Sequence, residues 1–203
     1  MNSTLRNKYI DGTIEVARQH RCDLFQIKYD GHWCQCVSLN GHQQYFSDTN
    51  RCYHATHCPE IPDGIYIGEF MRGTQWSKHP SRDGHFYIFD LWEFAGQSTL
   101  AFEYRKRYAM LKTVLDRLPE AYHWHRVANY PLAARDSIWK ALVVEQNYEG
   151  LVYRWSNSLN DYPLIREKAT FTLDGIVTHF IEGEGKHTGR LGVIEVDRAG
   201  ITI

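Results

Sequence analysis

The chain has 203 residues, 43% of them hydrophobic, so it is long enough for one full domain and part of a second. Its 23 basic residues nearly balance its 24 acidic residues, which excludes a strong overall positive field, and any contact with nucleic acid must rest on local patches. No apolar run reaches the roughly 20 residues of a membrane span, no signal peptide is recognisable, and five cysteines without an export signal indicate reduced thiols.

Strand-forming segments dominate the first half of the chain. After a stretch of helical composition at residues 10–20, β-branched and aromatic residues recur in short runs that turn residues separate. These runs predict strands at 24–29, 33–39, 64–71 and 85–94. Asn40 and Gly41 favour a hairpin turn, and the polar segment "RCYHATHCPEIPDG" at 51–64 is expected to be a loop.

The start of that polar segment, "RCYHATHC", raises the question of a zinc site. Its possible ligands are Cys52, His54, His57 and Cys58. Their spacing fits no common zinc module, and Cys34 and Cys36, on one face of an earlier strand, are typical of small buried thiols. We therefore expect no zinc there.

Helices and strands mix in the second half of the chain. Apolar residues recur at helical spacing over 102–118, with basic residues between them, which predicts an amphipathic helix with a basic side. A second helix is predicted at 133–145. Strands are predicted at 150–155, 164–169 and 175–180. Because the composition becomes glycine-rich after about residue 173, a domain boundary is expected there.

Charged side chains interrupt several of the predicted apolar strands. Ionised groups are rarely buried unless they are paired or bind a ligand. A lysine and an aspartate in "KYDG" could be a mere surface pair, but similar charges recur along the chain. They are Lys28, Asp30, Glu69, Asp90, Glu149, Arg166 and Lys168. Acids and bases on neighbouring strands suggest a site for a polyanion and a metal ion.

In order and spacing these residues resemble the motifs of the covalent nucleotidyltransferase superfamily, and within it a small viral or bacterial ATP-dependent DNA ligase. Residues 28–31 match its first motif, Lys-x-Asp-Gly. The other matches are 68–69 with its Gly-Glu strand, 89–90 with its third motif, 105–111 with its arginine-bearing helix, 149–152 with its fourth motif, and 166–168 with Thr172 and Asp174 with its fifth. "GEGKHTGRLGVIEV" at 183–196 resembles the start of a ligase oligonucleotide-binding (OB) domain.

The resemblance implies a mechanism. Lys28, as a neutral amine and with Asp30 as second catalytic residue, would attack the α-phosphorus of ATP and become adenylylated. The implied nucleotide-binding residues are Lys28, Glu69 on the ribose, Phe89 on the adenine, Glu149, Arg166 and Lys168. Glu149 and Asp90 have the oxygen ligands that Mg²⁺ prefers. The AMP would pass to the 5′-phosphate at a nick, and the 3′-hydroxyl would displace it.

Nicked double-stranded DNA is the implied partner. The residues expected at its backbone are Arg72, Arg105, Arg107, Lys186 and Arg190, although charges on a helix face or in a loop can also be simply solvated.

Two positions depart from the family pattern. Trp33 stands where the family often has an arginine, for which Arg72 is a possible substitute, and Arg166 stands where a lysine is usual. The family's last motif has no counterpart.

We therefore predict an α+β fold, with a nucleotidyltransferase (adenylation) domain of two antiparallel sheets flanked by helices at 1–173 and a partial OB-fold segment at 174–203. The predicted function is that of a monomeric ATP-dependent DNA ligase in replication or repair. We expect it in the cytoplasm of a bacterium or a virus-infected cell, without membrane contact. An RNA ligase or capping-type nucleotidyltransferase remains an alternative, as does a nonenzymatic nucleic-acid-end binder.

Overall fold

The structure, a computed structural model, describes residues 8–71, 84–169, 176–198 and 201–202. The chain divides into two compact units, one ending at residue 169 and one beginning at residue 170. Several sheets and few helices make the fold mixed α+β, as the sequence predicts. Within the described ranges, no helix is both long enough and apolar enough to cross a membrane.

The described part of the first unit contains twelve strands and three α-helices, with two 3-10 turns at Glu120–Tyr122 and Leu132–Ala134. In chain order the strands are β1 (Tyr9–Asp11), β2 (Leu24–Lys28), β3 (His32–Leu39), β4 (His42–Phe46), β5 (Cys52–His57), β6 (Gly64–Phe70), β7 (Phe86–Phe94), β8 (Gln97–Ser98), β9 (Trp124–Arg126), β10 (Tyr130–Pro131), β11 (Gly150–Arg154) and β12 (Leu164–Lys168). The helices are α1 (Ile14–Gln19), α2 (Tyr104–Leu115) and α3 (Arg135–Ile138), which continues into a π-helical segment, Trp139–Val144.

These strands form two sheets. The first has the order β1-β12-β11-β2-β10, and the second has the order β5-β4-β3-β6-β7-β8, with β9 paired to β7. Neighbouring strands are antiparallel except for one parallel pair in each sheet, β1 with β12 and β7 with β9. The prediction of two antiparallel sheets is therefore wrong at these two pairs. In each pair a strand of three residues, β1 or β9, joins a sheet from a distant part of the chain.

Apolar clusters place the helices outside the sheets. Helix α2 packs on the second sheet through Leu111, Val114 and Leu115 in one buried cluster. Helix α1 and the π-helical segment pack on the first sheet in another, which includes Ala17 and Val143. A third, smaller cluster contains Ile67, Phe89, Trp92 and Val127. Helices thus cover both sheets, as predicted.

Two of the predicted elements are wrong in part. The helix predicted at 10–20 begins only at Ile14, because Ile10 lies in β1, opposite Ile165 of β12. The segment predicted as a loop at 51–64 contains strand β5. This strand lies at the edge of its sheet and is mostly exposed, so it lacks the apolar alternation by which a strand is recognised. The hairpin turn is confirmed, since Asn40 and Gly41 have φ angles of 51° and 78°.

A buried ion cluster connects the two sheets of the first unit. Asp90 of β7 accepts hydrogen bonds from Arg107 of α2, at 2.8 Å from Nε and 2.9 Å from Nη2. Arg154 of β11 donates a third at 3.3 Å. The three side chains are 0%, 1% and 2% exposed. The carboxylate is thereby satisfied by guanidinium groups that are themselves buried.

This cluster corrects two predictions. Asp90 was expected to hold a metal ion, but both of its oxygens bind arginines in the core. Arg107 was expected on a DNA-contacting surface, but it is 1% exposed and points into the protein. The helical pattern of α2 places Arg107 one turn before Leu111, on the buried face, and the charge is accommodated only because Asp90 lies opposite.

The described residues of the second unit form three antiparallel strands, β13 (Ile176–Glu182), β14 (Leu191–Arg198) and β15 (Ile201–Thr202). A 3-10 turn, Gly185–His187, lies in the connection between the first two. The strand predicted at 175–180 is confirmed in β13. Large apolar side chains of this unit are exposed, among them Ile176, Phe180 and Leu191. Its description as the start of an OB-fold stays a prediction.

We expect Asp90→Asn to lower the free energy of unfolding by about 3–5 kcal/mol, because two buried arginines lose their counter-charge. Urea denaturation measures this. The control is Glu103→Gln, which weakens the pair between the half-buried Glu103 and the exposed Arg105 of the same region and should cost less than about 1 kcal/mol. Equal losses in the two variants would contradict a structural role of Asp90.

Candidate active site

Three neighbouring strands of the first sheet bring Lys28, Glu149 and Lys168 together. Strand β11 lies between β2 and β12, and Gly150 is opposite both Lys28 and Lys168 in the strand register. Glu149 directly precedes Gly150, so its carboxylate lies between the two lysines. One oxygen accepts a hydrogen bond from Lys28, and the other lies 2.9 Å from the Lys168 ammonium.

The glycine that follows Glu149 permits this close approach. Gly150 has a φ of 153°, and a Cβ atom there would lie 2.0 Å from the carbonyl oxygen of Glu167. Only glycine therefore fits where β11 passes β12 at this point. The sequence Glu149-Gly150 therefore allows a carboxylate to lie where the two neighbouring strands carry lysines.

The two lysines control the charge of Glu149. Burial acts to raise the pKa of the Glu149 carboxyl, but the hydrogen bonds and positive charges of Lys28 and Lys168 outweigh it, so the pKa is lowered from its ordinary value. Glu149 is therefore ionised at neutral pH. The arrangement is a carboxylate shared by two ammonium groups, partly shielded from water.

A cavity of about 150 Å³ adjoins Lys28 between the two sheets. The first sheet contributes the lining residues Tyr9, Gln26, Ile27, Lys28, Val152, Arg154 and Arg166. From the second sheet and the segments beside it come Trp33, Glu69, Phe89 and Val127, while Tyr29 and Gly31 lie at the connection from β2 to β3. The cavity thus combines three cations with an aromatic and aliphatic lining, a combination suited to an anionic ligand that also has an apolar ring.

The cavity brings together most of the predicted nucleotide-binding residues. Glu69 on β6 is opposite Trp33 on β3 in the register. Phe89 on β7 is 7% exposed and packs in the third apolar cluster, so it serves both as core and as lining. Arg166 lines the cavity while donating hydrogen bonds of 2.7 Å and 3.0 Å to Asp11, and these bonds lower the pKa of the Asp11 carboxyl.

Sequence reasoning missed Arg154. The residue lies on β11 two positions after Val152, so both face the cavity, and its guanidinium carbon is 5.6 Å from the centre of the Phe89 ring. A lone arginine at the end of an apolar strand, "GLVYR", was the available signal. Arg154 belongs to the buried ion cluster and to the cavity at once, which connects the stability of the fold to the shape of the site.

Two buried hydrogen-bond donors belong to residues of the cavity wall. Neither the indole nitrogen of Trp33 nor Nε of Arg154 has an acceptor among the described residues. Such groups are uncommon in folded proteins, and a bound water molecule, ion or ligand can satisfy them. A ligand with acceptor atoms, such as a nucleobase or a phosphate, would supply one.

The other predicted site residues lie elsewhere. Asp30 is exposed in the bend after β2. Arg105 is exposed on α2 and pairs with Glu103 at 2.8 Å, and Lys186 and Arg190 are exposed between β13 and β14. Arg72 is outside the described residues, as are Thr172 and Asp174 of the fifth motif.

Solved structures of DNA ligases resemble this chain, whereas no protein-family model and no curated protein matches it. A Lig E DNA ligase, described as binding DNA with a minimal scaffold, matches with a TM-score of 0.70 and 16% identity over 98% of this chain and 82% of its own. The bacteriophage T7 ATP-dependent DNA ligase in complex with ATP matches with a TM-score of 0.60 and 13% identity, over 100% of this chain and 81% of its own. Chlorella virus DNA ligase-adenylate matches with a TM-score of 0.53 and 17% identity, over 98% of this chain and 81% of its own. At these identities the similarity establishes a shared fold alone.

Glu149→Gln tests the electrostatics of the site. We expect the variant to lose about 0.5–1 kcal/mol of unfolding free energy at pH 7, because the two lysines lose a shared carboxylate. Since the folded-state pKa is lowered, this contribution is complete above the ordinary value of 4.5 and disappears as the pH falls through the folded value. Urea denaturation at pH 7 and at more acidic pH should therefore show the two proteins converging.

Glu145→Gln is the matched control, since Glu145 is exposed near the same strand. It should change the free energy of unfolding by less than about 0.5 kcal/mol at either pH. A difference between wild type and Glu149→Gln that does not depend on pH would contradict a shared, ionised carboxylate.

Proposed function

We propose that the protein is an ATP-dependent DNA ligase that seals nicks through AMP bound covalently to Lys28. The observation that carries the proposal is the position of Lys28, which lines the cavity between the sheets and is hydrogen-bonded to Glu149. The shared fold with a ligase in complex with ATP and with a ligase-adenylate supports it.

The cavity offers chemistry for each part of ATP. Arg154, Arg166 and Lys28 are cations suited to phosphates, and arginine can bind a phosphate through two hydrogen bonds. Phe89 provides an aromatic face for a base, and Glu69 provides acceptors for ribose hydroxyls. The unpartnered donors of Trp33 and Arg154 would find acceptors on the nucleotide.

In the proposed first step, the Nζ atom of Lys28 attacks the α-phosphorus of ATP. A nitrogen–phosphorus bond forms, the bond to the bridging oxygen breaks, and pyrophosphate leaves with the electron pair of that bond. The ammonium group of Lys28 must first lose a proton to solvent, and the positive charges of Arg166 and Lys168 favour the neutral amine. Positive charge on Arg166 and Lys168 stabilises the negative charge that develops on the phosphate.

Of the two predicted metal ligands, one fits a magnesium ion. Glu149 is the predicted metal ligand whose carboxylate remains partly exposed, whereas Asp90 is enclosed by arginines. We therefore assign Glu149, and not Asp90, to Mg²⁺. The ion would neutralise phosphate charge when bound.

DNA is the proposed partner for the second and third steps, in which AMP moves to the 5′-phosphate of a nick and the 3′-hydroxyl then displaces it. With a net charge of −1, binding must come from local groups of cations. Arg105, Lys186 and Arg190 are exposed and suited to phosphates.

The covalent step is tested by the intact mass of the protein before and after ATP and Mg²⁺. We expect wild type to gain the mass of one AMP, or to carry it already, because Lys28 is the nucleophile. Lys28→Arg keeps the charge and should gain nothing. Lys112→Arg, on the exposed side of α2, is the control and should gain AMP as wild type does.

The same mass measurement with GTP in place of ATP, followed by a sealing assay on nicked RNA and nicked DNA, separates the alternatives. An adduct formed with GTP in preference to ATP would indicate a capping-type enzyme. An adduct followed by sealing of nicked RNA but not of nicked DNA would indicate an RNA ligase. If no adduct forms under any condition, the proposal of a lysyl-adenylate is wrong, and the nonenzymatic nucleic-acid-end binder becomes the better interpretation.

The role of the second unit in DNA binding is tested by a double substitution, Lys186→Ala with Arg190→Ala. We expect weaker binding to nicked DNA and a slope of log K against log salt that is smaller by about 0.9 for each phosphate that the variant no longer neutralises. The charge-matched control is Arg18→Ala with Lys140→Ala, at exposed positions of the helical segments on the first sheet. Fluorescence anisotropy at several salt concentrations measures both, and equal slopes would exclude the assignment.

A further inference from the structure

Three histidines lie together on the surface of the second sheet, away from the motif residues. The parallel pairing of β7 and β9 places Phe86 opposite Trp124 and Tyr87 opposite His125. His85 and His123 are the residues directly before these strands. Because side chains alternate along a strand, His85, His123 and His125 share one face, while Phe86 and Trp124 point into the core on the other.

The ring nitrogens of the three histidines converge. One nitrogen from each ring lies within 4.8 Å of the other two. Nε2 of His125 is 2.9 Å from Nδ1 of His85, and the planes of these rings differ by 23° with their centres 4.9 Å apart. Two nitrogens are thus directed at one another. The ring of His123 lies 4.4 Å from that of His85.

The backbone holds His123 in this position. It has a φ of 54° and a ψ of 30°, in the left-handed region, where asparagine, aspartate and histidine are enriched among residues other than glycine. Its carbonyl oxygen accepts a hydrogen bond of 2.9 Å from the amide of Phe86, which fixes it beside the start of β7. This contact of the backbone keeps His123 next to the other two histidines.

We propose that His85, His123 and His125 bind one divalent transition-metal ion, with zinc as the first candidate. Imidazole nitrogen is a preferred ligand of Zn²⁺, Ni²⁺ and Cu²⁺ but a poor ligand of Mg²⁺ and Ca²⁺. Three histidines with a water molecule in the fourth position make a common tetrahedral zinc site. Nitrogens bound to one zinc lie roughly 3.3 Å apart, a spacing within side-chain motion of the observed one.

Metal binding changes the tautomer of one histidine ring. If the rings are neutral, no proton is lost overall. The hydrogen atom between His85 and His125 moves through solvent to the other nitrogen of the donor ring, and both facing nitrogens then offer lone pairs to the ion. Access from solvent is available because His123 is exposed and the other two are half-buried.

The proposed metal site is distinct from the cavity that contains Lys28. None of the three histidines lines that cavity. The two places are nevertheless connected by stacked rings, since Tyr87 lies 5.0 Å from His125 and 4.0 Å from Tyr29, the neighbour of Lys28 in the chain. The metal site does not depend on the proposed ligase activity.

The test is titration of the untagged, metal-free protein with Zn²⁺ and with Co²⁺, by calorimetry and by visible absorption of bound Co²⁺. We expect one ion per chain at micromolar or lower concentration, the absorption bands of tetrahedral Co²⁺, and no competition from millimolar Mg²⁺. His123→Asn, which tolerates the left-handed backbone, and His125→Gln should each weaken binding by about tenfold or more.

His187→Gln, at an exposed histidine of the second unit, is the control and should bind as wild type does. Circular dichroism of each variant shows whether it is folded. If His125→Gln does not fold, His123→Asn still tests the proposal. The proposal is overturned if wild type binds no ion, or if folded His123→Asn binds as tightly as wild type. It is supported if binding is about tenfold or more weaker in that variant and unchanged in the control.

Discussion

The ion cluster of Asp90, Arg107 and Arg154 is the constraint on which the candidate active site depends. It connects a strand of each sheet and helix α2, and Arg154 also lines the cavity next to Lys28. Charges this deeply buried are stable only as a complete set, because any one left alone is severely destabilising. The distance between the two walls of the cavity is therefore maintained by hydrogen bonds of fixed geometry as well as by apolar packing.

A second constraint acts within the first sheet. Strand β11 passes close to β12 at Gly150, where no Cβ fits, and this close approach sets Glu149 between Lys28 and Lys168. The result is a group of charges that balance one another within the protein. An anionic ligand would compete with Glu149 for the two lysines, so binding and rearrangement of these pairs are coupled.

Much of this arrangement was predictable from the sequence. Turn residues and apolar runs locate β2, β6, β7, α2, β11 and β12. The charges in or beside those strands include Lys28 and Glu69, which line the cavity, and Glu149, which pairs with Lys28. What failed depends on interactions between distant residues. Asp90 and Arg107 look functional in sequence because their partnership is tertiary, and β5 looks like a loop because an edge strand can be polar. The histidine cluster requires the parallel pairing of β7 with β9, which no local pattern encodes.

The most direct measurement locates the nucleotide in the chain. After incubation with ATP carrying a labelled α-phosphate, the protein is digested at neutral or alkaline pH, which preserves a phosphoramidate, and the labelled peptide is sequenced by mass spectrometry. We expect the label on the peptide that contains Lys28, attached to its side-chain nitrogen, because that amine lines the cavity and is hydrogen-bonded to Glu149. A label on another residue, or none, would contradict the assignment of Lys28 as the nucleophile.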